Sequence, residues 1–223
     1  MSAGADRPLD PYDIRLKRLK ANPHFIIINN YKCGFSSSNM LAFLGVHEIN
    51  PDDEVIFFYR SPFLRAISVF INWLITDDRY RREEGWLIEN LGAHLGAQAY
   101  KRFLNQLQME DYADALGTYV QALESIAELN DHTRPQSCLL QQYDIWKLDH
   151  FIELENNTAF RTITGLEFPT DQKNVSAFHI KSSLVRCLES NSHLRQRLRS
   201  IYQQDFDFFD ENGLECSSWR GAI

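Results

Sequence analysis

Residues 25–44 read FIIINNYKCGFSSSNMLAFL. The first four, Phe25 to Ile28, are bulky and apolar without alternation, as in a strand covered on both faces within a parallel sheet. A helical pattern starts at Met40, so a short helix is expected over 36–44. Between strand and helix lies a loop carrying Lys32, Gly34, Ser36, Ser37 and Ser38. A helix N-terminus offers unpaired N–H groups and partial positive charge. Gly34 lets the backbone approach a ligand with no Cβ in the way. The serines add hydroxyl donors, and Lys32 adds a mobile point charge. Together they suit a phosphate or sulfate group. A serine N-cap beside a solvated lysine is the plain alternative. The P-loop order G-x-x-x-x-G-K-[ST] is absent, because here the lysine precedes the glycine.

The same architecture recurs downstream. Residues 55–59 form a second apolar run, and Arg60 ends it. Pro62 suits a helix's first turn, and Phe63, Leu64, Ile67, Phe70, Ile71 and Leu74 follow at helical spacing. Ser68 lies in that helix, three residues after Arg65. A guanidinium and a hydroxyl here would bind a second phosphate, bidentate through the arginine. Two strand–loop–helix units in succession imply right-handed crossovers and a parallel sheet. Ligands of such sheets bind at the carboxyl ends of the strands, where Lys32 and Arg60 both fall.

Elsewhere the pattern is coarser. Residues 1–22 read as a polar lead with an amphipathic piece at 14–19, and 23–223 as a single domain. Residues 85–130 are mostly helical, with Gly92, Gly96 and Gly117 as weak breaks. A short strand is expected at 145–148, a helix at 149–162, a loop at 168–176, and one or two helices over 184–209.

Composition excludes several classes. The formal net charge of -7 argues against non-specific nucleic-acid binding. Cys33, Cys138, Cys187 and Cys216 form no C-x-x-C pair, which favours reduced thiols and a cytoplasmic setting. Apolar runs fall far short of the roughly 20 residues of a membrane span. "HEIN" at 47–50 lacks the second histidine of a zincin helix. "DFDFFDENG" at 205–213 fails the calcium-loop spacing and reads as a helix end. No metal site is therefore expected.

The two anion loops resemble the sulfotransferases. Lys32-Cys33-Gly34-Phe35-Ser36-Ser37 is similar to that family's 5'-phosphosulfate loop. Arg60, Pro62, Arg65, Ser68 and Phe70 are similar to its 3'-phosphate motif. "DHTRPQSCLLQQYD" at 131–144 resembles the H-x-x-P-Q segment of the carbohydrate branch that includes the heparan 2-O- and chondroitin enzymes. "KLDHFIELE" resembles that branch's next helix. "NVS" at 174–176 and "IYQQDFDFF" at 201–209 resemble its C-terminal signature. Three departures stand out: Tyr31 where proline is frequent, Ser61 where aspartate or asparagine is frequent, and Phe35 in place of a small residue inside the loop.

The resemblance implies a P-loop-like α/β fold, a three-layer sandwich with a central parallel sheet flanked by helices. It implies 3'-phosphoadenosine-5'-phosphosulfate as co-substrate, with no metal. It assigns the loop from Lys32 to Ser38 to the 5'-phosphate and sulfuryl group, and Arg60 with Ser68 to the 3'-phosphate. Lys173, Asn174 and Ser176 would close over the nucleotide. The acceptor would be a small molecule or glycan hydroxyl. Lys32 would meet developing charge, and His132 is the favoured general base. His47, Glu48, Glu83 and Glu84 stand as alternatives for the base. Two other functions fit the loops: a non-catalytic 3',5'-adenosine bisphosphate-binding module, and a kinase-like nucleotide phosphotransferase.

Overall fold

The computed structural model describes residues 16–28, 41–76, 86–129, 133–142, 145, 147–154, 156–169 and 178–215. In chain order the strands are β1 (Leu16–Leu19), β2 (Phe25–Ile28), β3 (Phe43–Val46), β4 (Glu54–Tyr59) and β5 (His150–Glu153). The helices are α1 (Pro62–Phe70), α2 (Trp86–Leu95), α3 (Ala97–Gln108), α4 (Tyr112–Ile126), α5 (Cys138–Gln142), α6 (Asn157–Thr164), α7 (Phe178–Ser190), α8 (Ser192–Ile201) and α9 (Gln203–Glu211). A π-helical turn, Ile71–Thr76, extends α1, and a 3₁₀ turn, Ala127–Leu129, ends α4. The chain divides into two compact units: residues 1–59 with 146–170, and residues 60–145 with 171–223.

The first unit holds the sheet, in the order β3-β1-β2-β4-β5. The α/β class expected from sequence is found, but the sheet is mixed rather than all parallel. β2, β4 and β5 run parallel, whereas β1 pairs antiparallel with both β2 and β3. Leu16–Leu19, read as part of a polar lead, is therefore a sheet strand. The helix expected over 36–44 is corrected at its end, where Phe43 and Leu44 belong to β3; residues 36–40 lie outside the described residues. The strand expected at 145–148 forms instead at His150–Glu153, and α6 replaces the rest of the helix expected from 149.

β2 is buried at all four positions, and β4 at five of six, as unalternating apolar runs require. On one face of the sheet, Phe25 and Ile27 of β2 and Ile56 and Phe58 of β4 join Leu19, Ile152, Phe160 and Phe168 in one cluster. Phe58, Phe160 and Phe168 form its aromatic centre, with ring centroids 4.8–5.7 Å apart. Asn156 caps α6 through its side chain, accepting from the Ala159 N–H, and Gly165 ends it at φ 72, a left-handed position that glycine fills without strain.

Charged groups lace the amino ends of the three parallel strands. Asp53, just before β4, forms a two-pronged pair with Arg18 of β1, one arm at 2.7 Å, and accepts from the Asn50 N–H at 2.7 Å. Arg18 also donates to the Pro23 carbonyl, before β2. Lys147 donates to the Pro51 and Asp53 carbonyls, and Asp149 accepts from the Val55 N–H at 2.8 Å. His150 and Glu54 meet at 2.6 Å. Backbone groups there would otherwise stay unpaired where the ladder begins.

In the second unit, α1 buries Leu64, Ile67 and Phe70 at the spacing read from sequence, in one core with Leu116, Tyr119, Leu123, Leu188 and Leu198. Gly96 does break the helical stretch, at φ 75 between α2 and α3, whereas Gly92 and Gly117 lie inside continuous helices. The C-terminal stretch forms three helices rather than one or two. Among the described residues no helix is long and apolar enough to cross a membrane.

The Arg18 guanidinium beside Asp53 holds that carboxyl below its ordinary 3.8. A carboxyl so depressed stabilises the fold above about pH 4 and loses that contribution as pH falls through its folded value. Asp53→Ala is therefore expected to cost about 2 kcal/mol at neutral pH, read by denaturant unfolding. The gap between variant and parent should narrow below about pH 4. A gap that does not change with pH would contradict the role of the ion pair.

Candidate functional site

Arg60 directly follows β4, where the sheet's backbone pairing stops. Its N–H donates to the Gln136 Oε1 at 2.9 Å, and its carbonyl accepts from the Gln136 Nε2 at 2.8 Å. The side-chain amide thus takes both backbone groups of Arg60, as a neighbouring strand would. Ser61, which is buried, and Pro62 then turn the chain into α1.

Gln136 sits in a loop that is itself tightly held. The buried Thr133 hydroxyl donates to the Ala127 carbonyl at 2.8 Å, and Arg134 donates to the Glu128 carbonyl at 3.0 Å. From α1, the Arg65 guanidinium donates to the Arg134 carbonyl. From α9, the Asp205 carboxylate accepts from the Ser137 N–H at 2.8 Å, the Ser137 hydroxyl at 3.0 Å and the Gln136 Nε2 at 3.3 Å. Arg65, Gln136 and Asp205 are almost wholly removed from solvent, at 1%, 0% and 0% exposure. Buried charge is tolerated only when it is hydrogen-bonded in this way. Three separate stretches of sequence, 60–65, 133–137 and 205, therefore converge on one polar network.

The sulfotransferase family model matches residues 30–210, most of the chain, including all three stretches. The chain belongs to the sulfotransferase family. No curated protein and no solved structure matches it. Membership makes it a transferase of sulfuryl groups in general terms.

Against the family's motifs, the structure describes some of the expected residues. Arg60 stands half-buried at the carboxyl end of β4, the edge at which parallel sheets bind ligands. Ser68 is half-buried in the second turn of α1. Arg65, matched to the 3'-phosphate motif, is buried and donates to the Arg134 carbonyl. His47 and Glu48 are exposed just after β3. Lys32, Cys33, Gly34, Phe35, Ser36, Ser37, Ser38, Glu83, Glu84, His132, Lys173, Asn174 and Ser176 lie outside the described residues. Among the described residues no cluster of three or more His, Cys, Asp or Glu side chains could hold a metal.

Gln136, Ser137 and Asp205 lie within the segments 131–144 and 201–209 that resemble the family, yet no role for them is legible there. One signal was available for Asp205. It lies four residues before Phe209, on the buried face of α9. An acidic residue on an apolar face needs a buried donor.

A groove of about 410 Å³ opens among α3, α4, α7 and α8, lined in part by Arg102, Gln106, Asp114, Thr118 and His193. Arg102 lies on α3. Arg197, on the same groove, is engaged by Glu124 at 2.6 Å.

Two tyrosines lie beside the network. Among the described residues, the buried Tyr119 and Tyr202 hydroxyls meet no hydrogen-bond partner. Burial pushes Tyr202 up to about 12, against the opposing pull of Arg65, and pushes Tyr119 well above its ordinary value. Folded, both stay neutral at a pH where the unfolded chain's tyrosines ionise, so stability is complete below about pH 10 and falls as pH rises toward 12. Paired Tyr119→Phe and Tyr202→Phe substitutions are expected to flatten that alkaline limb in melting curves. At neutral pH, Tyr119→Phe should raise stability by about 1 kcal/mol, because it removes an unpaired buried hydroxyl. A loss of stability would mean that the hydroxyl is bonded.

Proposed function

We propose that this sulfotransferase moves the sulfuryl group of 3'-phosphoadenosine-5'-phosphosulfate to a carbohydrate hydroxyl in the cytoplasm. The observation that carries the donor assignment is Arg60, a half-buried cation immediately after a parallel strand, its backbone held at both polar groups. A guanidinium on a backbone held in this way fits the 3'-phosphate, which distinguishes this donor from ATP. Ser68 would add a hydroxyl to the same phosphate. The segment at 131–144, similar to the carbohydrate branch, supports a sugar acceptor.

The donor supplies an activated sulfuryl group. The chain's task is then positioning and charge stabilisation, as in phosphoryl transfer. Lys32 neutralises charge that develops on the transferring group and its leaving oxygen, while Cys33, Gly34, Phe35 and Ser36 to Ser38 hold the 5' end. Lys173 and Ser176 cover the nucleotide. His132 takes the acceptor's hydroxyl proton; His47, Glu48, Glu83 and Glu84 are the other candidates for that step.

Calorimetry with 3',5'-adenosine bisphosphate and a sulfate-transfer assay over sugars, lipids and phenols test this reading. Arg60→Ala is expected to weaken bisphosphate binding by about 10- to 100-fold. Lys32→Ala should retain much of the binding but lose about 10²- to 10³-fold in kcat. Wild-type binding by Arg60→Ala would remove the 3'-site assignment. Binding with no transfer to any acceptor would make the protein a nucleotide-binding module instead.

A further inference from the structure

We infer that Gln136 and Asp205 are positioning residues for the donor's 3'-phosphate, acting through Arg60; this rests on the assignment of Arg60 just proposed. The sheet's last register pair at this edge is Tyr59 with Glu153. Beyond it the Leu154 N–H donates to the Tyr59 carbonyl at 2.8 Å, and Arg60 follows the last residue of β4. An arginine side chain has several rotatable bonds, and a guanidinium recognises phosphate bidentately only if its root is still. Gln136 supplies that stillness by closing a two-bond ring on the Arg60 N–H and carbonyl.

The ring works only with the amide one way round. Gln136 Oε1 must face the Arg60 N–H, and Nε2 must face the carbonyl. Asp205 fixes this orientation. Its Oδ2 takes the second Nε2 hydrogen at 3.3 Å, while its Oδ1 is occupied by the Ser137 N–H and hydroxyl. A flipped amide would set an oxygen against a carboxylate and a carbonyl oxygen together. The carboxylate thus sets the amide, the amide sets the Arg60 backbone, and the Arg60 backbone sets the root from which the guanidinium reaches. Neither Gln136 nor Asp205 needs to touch the nucleotide, and both are fully buried.

The test compares 3',5'-adenosine bisphosphate with adenosine 5'-monophosphate, which lacks the 3'-phosphate, by calorimetry on the full chain. Gln136→Met keeps the length and loses both hydrogen bonds. It is expected to cut the preference for the bisphosphate by about 10- to 100-fold, the scale on which small misplacements act. Affinity for the monophosphate should stay within about twofold, and Arg60→Ala should lose the same preference. Adding Gln136→Met to Arg60→Ala should then change it no further. Equal weakening of both nucleotides would mark Gln136 as merely structural and overturn the inference. So would a preference that Gln136→Met leaves intact while Arg60→Ala abolishes it, with the 3'-site reading still standing. If Arg60→Ala itself keeps the preference, the 3'-site reading fails and takes the inference with it. Should Gln136→Met not fold by circular dichroism, Asp205→Asn carries the test. It preserves the volume but places an amide nitrogen or a neutral oxygen where the carboxylate oriented Gln136. Its expected result is a smaller loss of the same preference, and an unchanged preference overturns the proposal.

Discussion

The carboxylate of Asp205 is the fixed point of the second unit. Its burial would be costly alone, since an unpaired charge in a protein interior forfeits several kcal/mol of hydration. Here two side chains and one backbone amide surround it: the Gln136 amide, the Ser137 hydroxyl and the Ser137 N–H. A second buried charge, the Arg65 guanidinium, satisfies the Arg134 carbonyl two residues before Gln136. A loop with no regular structure of its own is thereby held from α1 on one side and α9 on the other. Such a loop has too few apolar side chains to fix itself; its order comes from polar groups that have no alternative partner once water is excluded.

The sheet of the first unit divides its labour along the strand direction. At the amino ends of β2, β4 and β5, Arg18, Asp53, Lys147 and Asp149 pair with one another and with backbone groups. These contacts fix where each strand starts. The carboxyl ends carry the chemistry in parallel sheets, and there the ladder must stop to leave polar groups for a ligand. The stabilising contacts thus sit at the end of these three strands opposite to the one at which parallel sheets bind ligands. The antiparallel β1 and β3 extend the sheet beyond β2, and β1 brings Arg18 to the stabilising end.

What could be read in the sequence follows from how local each signal is. β2 and β4 were legible because four or more consecutive bulky residues have few other homes. α1 was legible because its apolar spacing continues through Leu74, with Pro62 at its start. β3 was not, since Phe43–Val46 is short, half-exposed and contains a glycine; only pairing with β1 makes it a strand. β5 was misplaced because the apolar residues of "DHFIELE" also fit a helix, and parallel pairing with β4, about 95 residues away, decided otherwise. The site divides in the same way. Arg60 was visible as a cation after an apolar run. Gln136 and Asp205 were not, because their meaning lies in contacts that span 76 and 69 residues.

The two arginines of R-S-P-F-L-R carry this furthest. They are one residue type, five positions apart, and a motif reading gives them one purpose. Burial separates them. Arg65 is 1% exposed and donates to the Arg134 carbonyl of its own chain, so its guanidinium faces the interior and ties the 133–137 loop. Arg60 lies at the open end of a strand, with its backbone rather than its side chain held by Gln136. Part of the motif's spacing is therefore a construction requirement. α1 must start at once after β4 so that Arg65, one turn in, faces the loop that returns to clasp Arg60. A chain with Arg60 but no residue able to do the work of Arg65 would keep the charge and lose the tie on the loop that clasps it.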